Sequence, residues 1–425
     1  MKIIYFYELD SISEDMLNNI FKTETDKIIN LFLKEGIYKK YENSFFLEYV
    51  GIIAYNETVI AVLPKFLKKF DFPHEEKNKI LKLIIEVIKK YKNDTIFNTE
   101  QNENAGGNIF ALIDYFFKDY ISNGLYKTFI EKLEYNGDGE INWEETIENE
   151  DSHFINNSPI YLNFFTEETE NDDKDFIKKI HKYILYTCKN YLLNSEVQKT
   201  LNLIQIPYFD FFINEYIGDK DYIITQIDNR LNLEFNEQEI ILLKKMKIFI
   251  NEIYSKSDNG LELWGVNKFW TVWEKCCKNI FKDEKEHYKR IIKPVWSNLQ
   301  EDNKEEKDTL IPDILREEEE VFYILDAKYY DFYFNDNGKM IGSPPEISSI
   351  IKQYAYELAF KKYFKNIKNY FVIPAVENTK VIGKVNFDIF DLQPIKVLQL
   401  NYKTCFYMYL KNLYYNEKEM KNIIL

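Results

Sequence analysis

At 425 residues with a formal net charge of −15, the chain is long enough for two or three domains and a sizeable core. Its 45% hydrophobic and 17% aromatic content excludes a disordered polypeptide. Four cysteines, Cys188, Cys276, Cys277 and Cys405, form no C-x-x-C pair, which argues against a structural zinc site and for a reducing, cytoplasmic setting. The N-terminus reaches Glu8 after too short an apolar run for a signal peptide. No apolar run has the length of a membrane span, so no membrane is expected. The acidity opposes binding to phosphate, but it is localised. Residues 134–175 hold fourteen acids against one lysine, whereas residues 352–425 hold twelve lysines against six acids. A DNA enzyme is therefore not excluded by charge.

In chain order, residues 44–54 and 58–64 read as apolar strands separated by a short Tyr-Asn-Glu turn. Residues 75–91 follow as a helix with Ile80, Leu83, Ile84, Val87 and Ile88 on one face. The strand pair ending in Val62, Leu63, Pro64 and Lys65 resembles the N-terminal domain of McrC, the nuclease subunit of a modification-dependent restriction system. That likeness sets residues 1–95 apart as a β-rich domain expected to dock a partner.

Residues 96–260 form the expected middle domain, mixed and largely helical. It opens with a long amphipathic helix over 108–133. Next comes a segment close to a calcium-binding EF-hand loop, with Asn136, Asp138, Gly139, Ile141 and Glu145 at the right offsets and Glu134 in place of the usual first Asp. No second hand accompanies it, and a glycine-rich turn leading into a strand is the preferred reading. Residues 139–147 resemble a turn–strand segment of the LlaJI-type restriction endonucleases. Residues 157–165 read as a partner strand and 167–175 as a solvated acidic loop, with a protein-docking surface as the alternative. The helix over 176–193 contains a second stretch similar to that family, Ile180 to Leu185. Its His181 has no paired acid or cysteine and reads as a helix-surface or core-edge residue. Residues 195–232 are mixed, 236–256 helical, and a turn cluster at 255–260 marks a boundary.

The last domain, 261–425, begins with a helix carrying Phe269, Trp273, Cys277 and Ile280 on one face and Glu274 beside it. Residues 310–330 read as a β-hairpin. Ile311, Ile314 and Leu315 form one apolar run, 316–320 a charged tip, and 321–325 a buried strand. Asp313 and Asp326 interrupt these runs although acids are uncommon in strands. Period two puts Asp326 and Lys328 on one face, and pairing across the tip brings Asp313 beside Asp326. Two crowded carboxylates and an ammonium suit a hard divalent cation, Mg²⁺ or Mn²⁺, with the lysine polarising a water or steadying charge on a phosphate. An ion pair within a half-buried hairpin is the plain alternative. A helix over 345–365 with Ile350, Ile351, Tyr354 and Leu358 as its buried stripe, and strands at 371–374 and 395–401, complete the domain.

Pro312 and Asp313, then twelve residues, then Asp326, Ala327 and Lys328 resemble the PD-(D/E)xK nuclease core. The resemblance implies an upstream acid on the first helix, which falls on Glu274 as a third metal ligand or base; an i,i+4 pair with Lys278 is the alternative. It also implies a glutamine on the later helix, which falls on Gln353. Taken together, the order of these segments resembles the LlaJI-type restriction endonucleases, relatives of McrC. The expected fold is α+β: a β-rich N-terminal domain, a helical and mixed middle, and a C-terminal PD-(D/E)xK α/β core with a mixed central sheet. The resemblance implies a Mg-dependent endodeoxyribonuclease subunit of a phage-defence restriction system. It would act on double-stranded DNA with a separate AAA+ GTPase (McrB-like) subunit, and it leaves dimerisation for double-strand cleavage open. The sequence contains no G-x-x-x-x-G-K-[ST] phosphate loop. A stand-alone type II endonuclease and a non-catalytic interaction protein with a vestigial core are the competing readings.

Overall fold

The computed structural model describes residues 3–21, 25–41, 44–55, 58–95, 105–156, 158–171, 175–209, 217–255, 261–288, 295–297, 304–306, 312–335 and 337–424. The chain is α+β and forms two compact units, one made of Met1–Ala111 together with Asn259–Leu425, the other of Leu112–Asp258. Ile311, most of the 255–260 turn cluster and part of the 55–57 turn lie outside the described residues.

The first unit contains two main sheets. One is four-stranded in the order Ile3–Tyr7, Thr58–Leu63, Val50–Tyr55, Leu261–Val266, with only the first pair parallel. The apolar run over 44–54 is not one strand. Ser44–Leu47 pairs with Tyr38–Tyr41 and Ser11–Ile12 in a small separate sheet, and the chain then enters the main sheet as Val50–Tyr55. The switch occurs where two glycines face one another across the sheet, Gly51 and Gly265. A Cβ on Gly51, whose φ is +140°, would stand 2.4 Å from the Trp264 carbonyl oxygen, and one on Gly265 would stand 2.3 Å from that of Val50. Only glycine permits this approach. Every side chain of Val50–Tyr55 is buried, and all but the first of Thr58–Leu63, so these strands present no surface on which a partner could dock.

Helix His74–Thr95 buries Ile80, Leu81, Ile84, Ile85, Val87 and Ile88. Its Tyr91 hydroxyl donates to Thr271 Oγ1 at 3.0 Å, and Lys90 Nζ donates to the Tyr409 carbonyl at 2.5 Å. These bonds tie it to helices Phe269–Ile280 and Tyr402–Leu410 of the C-terminal part.

The second sheet has the order Ile314–Glu318, Val321–Ala327, Ile367–Ala375, Ile395–Asn401, Lys380–Val385. Its two inner junctions are parallel and its two outer ones antiparallel, which is the mixed sheet the sequence implies. The hairpin turn is shorter than the charged run suggests. Arg316 to Glu318 belong to the strand, and Arg316 is buried with its guanidinium donating to the Phe281 carbonyl and paired with Glu318. A polar run on an edge strand thus reads as a tip when part of it is covered. Helix Phe269–Ile280 buries Phe269, Val272, Trp273, Cys276, Cys277 and Ile280, a stripe of helical period. Helix Ile347–Phe360 is shorter than 345–365 and rotated from the expected stripe. It buries Gln353, Tyr354, Tyr356, Glu357 and Phe360, while Ile351 and Leu358 are exposed. Buried polar residues hydrogen-bonded within the core displaced aliphatic ones from the inner face.

In the second unit, the helix expected over 108–133 ends at Asn123. Gly124 adopts φ +79°, a helix stop, and Phe129–Tyr135 is a strand. The acidic segment from Glu167 is likewise not a loop. Strand Phe165–Asn171 lies between Phe129–Tyr135 and Glu140–Ile141, with Glu168 directly opposite Lys132, an opposite-charge pair of the kind that favours pairing; residues 172–174 lie outside the described set. The turn at Asn136 leads into Glu140–Ile141 as expected, but helix Trp143–Asn149 follows at once, its N-cap Asn142 accepting from the Glu145 N–H at 2.9 Å. Asn-x-x-Glu is a capping-box pattern. The partner strand over 157–165 resolves into a hairpin of His153–Ile155 and Ser158–Ile160; residue 157 lies outside the described residues. Helices Phe176–Asn194, Glu196–Leu201, Lys220–Leu231 and Glu237–Ser255 follow in this unit. His181 is wholly buried there. Its Nδ1 accepts from the Tyr126 N–H at 3.1 Å, and burial pulls its pKa down to about 4, so it is a neutral core histidine. Among the described residues, no helix is long and apolar enough to cross a membrane.

Candidate active site

The strand Val321–Ala327 is buried along most of its length and paired on both sides, so its last residues are rigidly placed. The register Ile314↔Leu325 brings Asp313, one residue before the edge strand, alongside Asp326. The Ala327 N–H donates to Asp313 Oδ2 at 2.9 Å, and Lys328 Nζ lies 2.7 Å from Asp326 Oδ2. Asp313, Asp326 and Lys328 therefore meet at one corner, as their spacing predicts.

The electrostatics are those of crowded acids. Burial first, then the charges of Asp326 and Glu274, push the Asp313 carboxyl up to about 8, with Lys328 pulling the other way. Burial disfavours the charged form of Lys328, but Asp326 and Asp313 outweigh it and leave the ammonium above its ordinary pKa. The lysine is thus a fixed cation at neutral pH.

Glu274 is on the neighbouring helix, near enough for its charge to act on Asp313, but its carboxylate is paired with Lys278. Among the described residues, no three His, Cys, Asp or Glu side chains are gathered to hold a metal. Gln353 is fully buried, its amide donating to the Tyr370 carbonyl at 3.4 Å while its oxygen has no partner. The residue of that helix that senses the acid pair is Tyr356, whose pKa burial, Asp326 and Asp313 raise to about 12. Sequence reading passed over Tyr356. The available signal was its spacing of three from Gln353, one helical turn on the same side. The charge of Asp313 is felt by Lys278, and Asp283 and Lys285 in turn interact with Lys278. Asp283 accepts from the Leu315 N–H at 3.0 Å and so fixes the start of the hairpin.

A corner of this kind, on the hairpin of a mixed sheet, accompanies a sequence that falls in the class of restriction endonucleases. Within that class the chain belongs to the LlaJI restriction endonuclease family, whose family model matches residues 49–403. It is 30% identical over 409 residues to the type II restriction enzyme BsuMI component YdjA of Bacillus subtilis (strain 168), covering 90% of this chain and 84% of that protein. Among solved structures it is similar to one titled as a half-complex from the tetradecameric assembly of Thermococcus gammatolerans McrB AAA+ hexamers with bound McrC. That likeness has 14% identity and a TM-score of 0.45 and covers 100% of both chains. The T. gammatolerans McrBC complex matches at 12% identity and a TM-score of 0.25, over 64% of this chain and 85% of that one. The family assignment rests on the sequence matches.

Proposed function

We propose that the chain hydrolyses phosphodiester bonds of double-stranded DNA at the Asp313–Asp326–Lys328 corner, as the nuclease subunit of a restriction system. The observation that carries this is the meeting of Asp313 and Asp326 beside Lys328 at the end of one strand: a buried second carboxylate set against Asp326 is costly to the fold and is relieved by a cation. Asp313 and Asp326 fit a hard divalent ion of the Mg²⁺ or Mn²⁺ kind, which needs only one or two protein carboxylates. When bound, such an ion supplies Lewis-acid polarisation of a phosphoryl oxygen. The chain's own groups do the rest. The Ala327 N–H orients Asp313, Asp326 holds Lys328, and Lys328, being charged, stabilises negative charge gathering on the phosphate. Glu274, whose charge acts on Asp313, is the candidate third acid once parted from Lys278, and Gln353 braces strand Ile367–Ala375 through the Tyr370 carbonyl.

The reading extends to a separate AAA+ GTPase subunit. Its support is the McrC-like N-terminal sequence and the lack of a phosphate loop in this sequence. Because the strands of 50–65 are buried, the surface best suited to a protein partner lies in the second unit. Tyr135, Trp143, Ile147, Phe154, Ile155 and Leu162 there are each more than half exposed, within a stretch of strongly negative charge. Exposed apolar groups in such number mark protein contact, and the acids disfavour DNA.

The test is cleavage of unmodified and methylated plasmids by the purified chain with Mg²⁺, with and without the product of the neighbouring gene and GTP. Asp313→Ala, Asp326→Ala and Lys328→Ala are each expected to remain folded and to lose at least about 10²–10³ in rate. A fully active Asp326→Ala protein would end the nuclease reading, and efficient cleavage with no nucleotide or partner would favour a stand-alone endonuclease.

A further inference from the structure

The extended strand carrying Asp326 ends at Ala327, and the Lys328 N–H makes a last sheet bond to the Val372 carbonyl at 2.9 Å. The next side chain, Tyr329, is gripped from the N-terminal part of the same unit. Its hydroxyl donates to Glu8 Oε2 at 2.5 Å, the Lys65 N–H donates to that same oxygen at 3.4 Å, and Lys65 Nζ stands 4.8 Å above the tyrosine ring. Phe66 and Phe269 pack their rings against it at 6.1 and 5.6 Å. Glu8 follows directly on strand Ile3–Tyr7, and its N–H is bonded to the Leu63 carbonyl. A second tie follows two residues on, where Lys69 lies 3.6 Å from Asp331.

Glu8 and Tyr329 are 8% and 7% exposed, and a buried carboxylate is costly where an apolar side chain would simply pack. What it gives in return is direction, because a hydrogen bond to a charged oxygen is short and oriented. Successive side chains of an extended segment point to opposite sides. A phenol locked on one side therefore fixes the bearing of its neighbour on the other, and that neighbour is Lys328, 2.7 Å from Asp326 Oδ2.

We propose that Glu8 and Tyr329 form a clamp that positions Lys328 for DNA hydrolysis, making the four-stranded N-terminal sheet part of the catalytic apparatus. The inference rests on the reading of Asp313, Asp326 and Lys328 as the nuclease centre. Without the clamp the four-carbon lysine stem is free to leave the phosphate, and a misplacement on the order of 1 Å costs about 10²-fold in rate.

The experiment measures kcat and KM for DNA cleavage, alongside melting temperature, on the full chain with whatever partner its activity requires. Tyr329→Phe, which removes one oxygen and keeps the ring, is expected to lower the melting temperature, since buried Glu8 loses a hydrogen bond, and to lower kcat by roughly ten- to a hundredfold with KM unchanged even well below that temperature. Glu8→Ala should match it, while Glu8→Gln, which retains an acceptor, should keep kcat within about threefold. Wild-type kcat in Tyr329→Phe, with Lys328→Ala inactive, overturns the clamp and leaves the nuclease centre standing. A kcat that returns to the wild-type value when the assay is run well below the variant's melting temperature also overturns it. A fully active Lys328→Ala protein removes the reading of the site itself.

Discussion

At the scale of single residues, Asp313 ties function to instability. Its carboxyl has a pKa near 8 in the fold, above the ordinary value near 4. The unfolded chain therefore gives up this proton before the folded one does. Stability from this group is intact below about pH 4 and drains away as pH rises to about 8. Asp313→Asn is expected to raise the melting temperature of the metal-free protein at pH 8, by an amount on the order of 2 kcal/mol in stability. It should do nothing at pH 4, and it should abolish cleavage. Calorimetry at the two pH values checks this, and a variant no more stable at pH 8 than the wild type would sink it. In the wild type, Mg²⁺ should provide the same relief, and EDTA should withdraw it together with activity. The trio itself was legible because two acids break β-type apolar runs at a spacing that a hairpin brings together. The Glu274–Lys278 pair was legible too, as the i,i+4 alternative to a metal-binding role, but Tyr356 was not. Which side of a helix faces a site depends on a rotation of a few tens of degrees, and sequence period alone does not fix it when polar residues are buried.

At the scale of elements, the link between the two ends of the chain governs what can be removed. Leu261–Val266 completes the sheet whose other strands come from the first 63 residues, and His74–Thr95 packs on two helices of the C-terminal part. A chain lacking residues 1–95 would expose those faces. It is expected to be insoluble or molten by near-ultraviolet circular dichroism, with no active nuclease remnant. A milder probe is Lys90, whose ammonium reaches the Tyr409 carbonyl and Asn412 Oδ1, each at 2.5 Å, at the C-terminal end of helix Tyr402–Leu410. A cation there satisfies orphan carbonyls and opposes the helix dipole. Lys90→Ala is expected to cost about 1 kcal/mol in urea unfolding; no change would show that solvent replaces it. The inward face of a strongly periodic element such as helix Phe269–Ile280 was legible, with Phe269, Trp273, Cys277 and Ile280 all buried as expected. The segment 108–133 was not, because Phe129, Ile130 and Leu133 keep a helical spacing while Phe129 and Leu133 alone also fit a strand period, and the single glycine at 124 decides between them. Nor was the pairing of Val50–Tyr55 with a strand more than two hundred residues away, since a sequence read locally carries no record of its distant neighbours.

At the scale of the whole molecule, charge and apolar surface are unevenly shared. On the proposed function, the basic C-terminal stretch suits DNA and the acidic 134–175 stretch suits a protein partner. Trp143→Glu with Phe154→Glu, both exposed positions, is expected to leave the melting temperature within about 1 °C, as surface substitutions do. It should also remove stimulation by the partner subunit. Retained stimulation would place the docking surface elsewhere.

The same exposed side chains have a consequence for the protein before any partner arrives. Side chains as exposed as Phe154 and Leu162, each at 70%, ordinarily favour self-association when they gather in a patch. Here they belong to a stretch with a net −13 over 134–175, and like charge on two copies opposes their approach. The acids act as a guard on an unmated subunit, and the guard is removable. Near the sequence pI of about 5.0, or in about 1 M salt where screening shrinks to roughly 3 Å, the isolated chain is expected to self-associate reversibly in light scattering, and Trp143→Glu with Phe154→Glu to stay monodisperse. A natural partner would lift the guard more selectively, by bringing lysines and arginines to meet it.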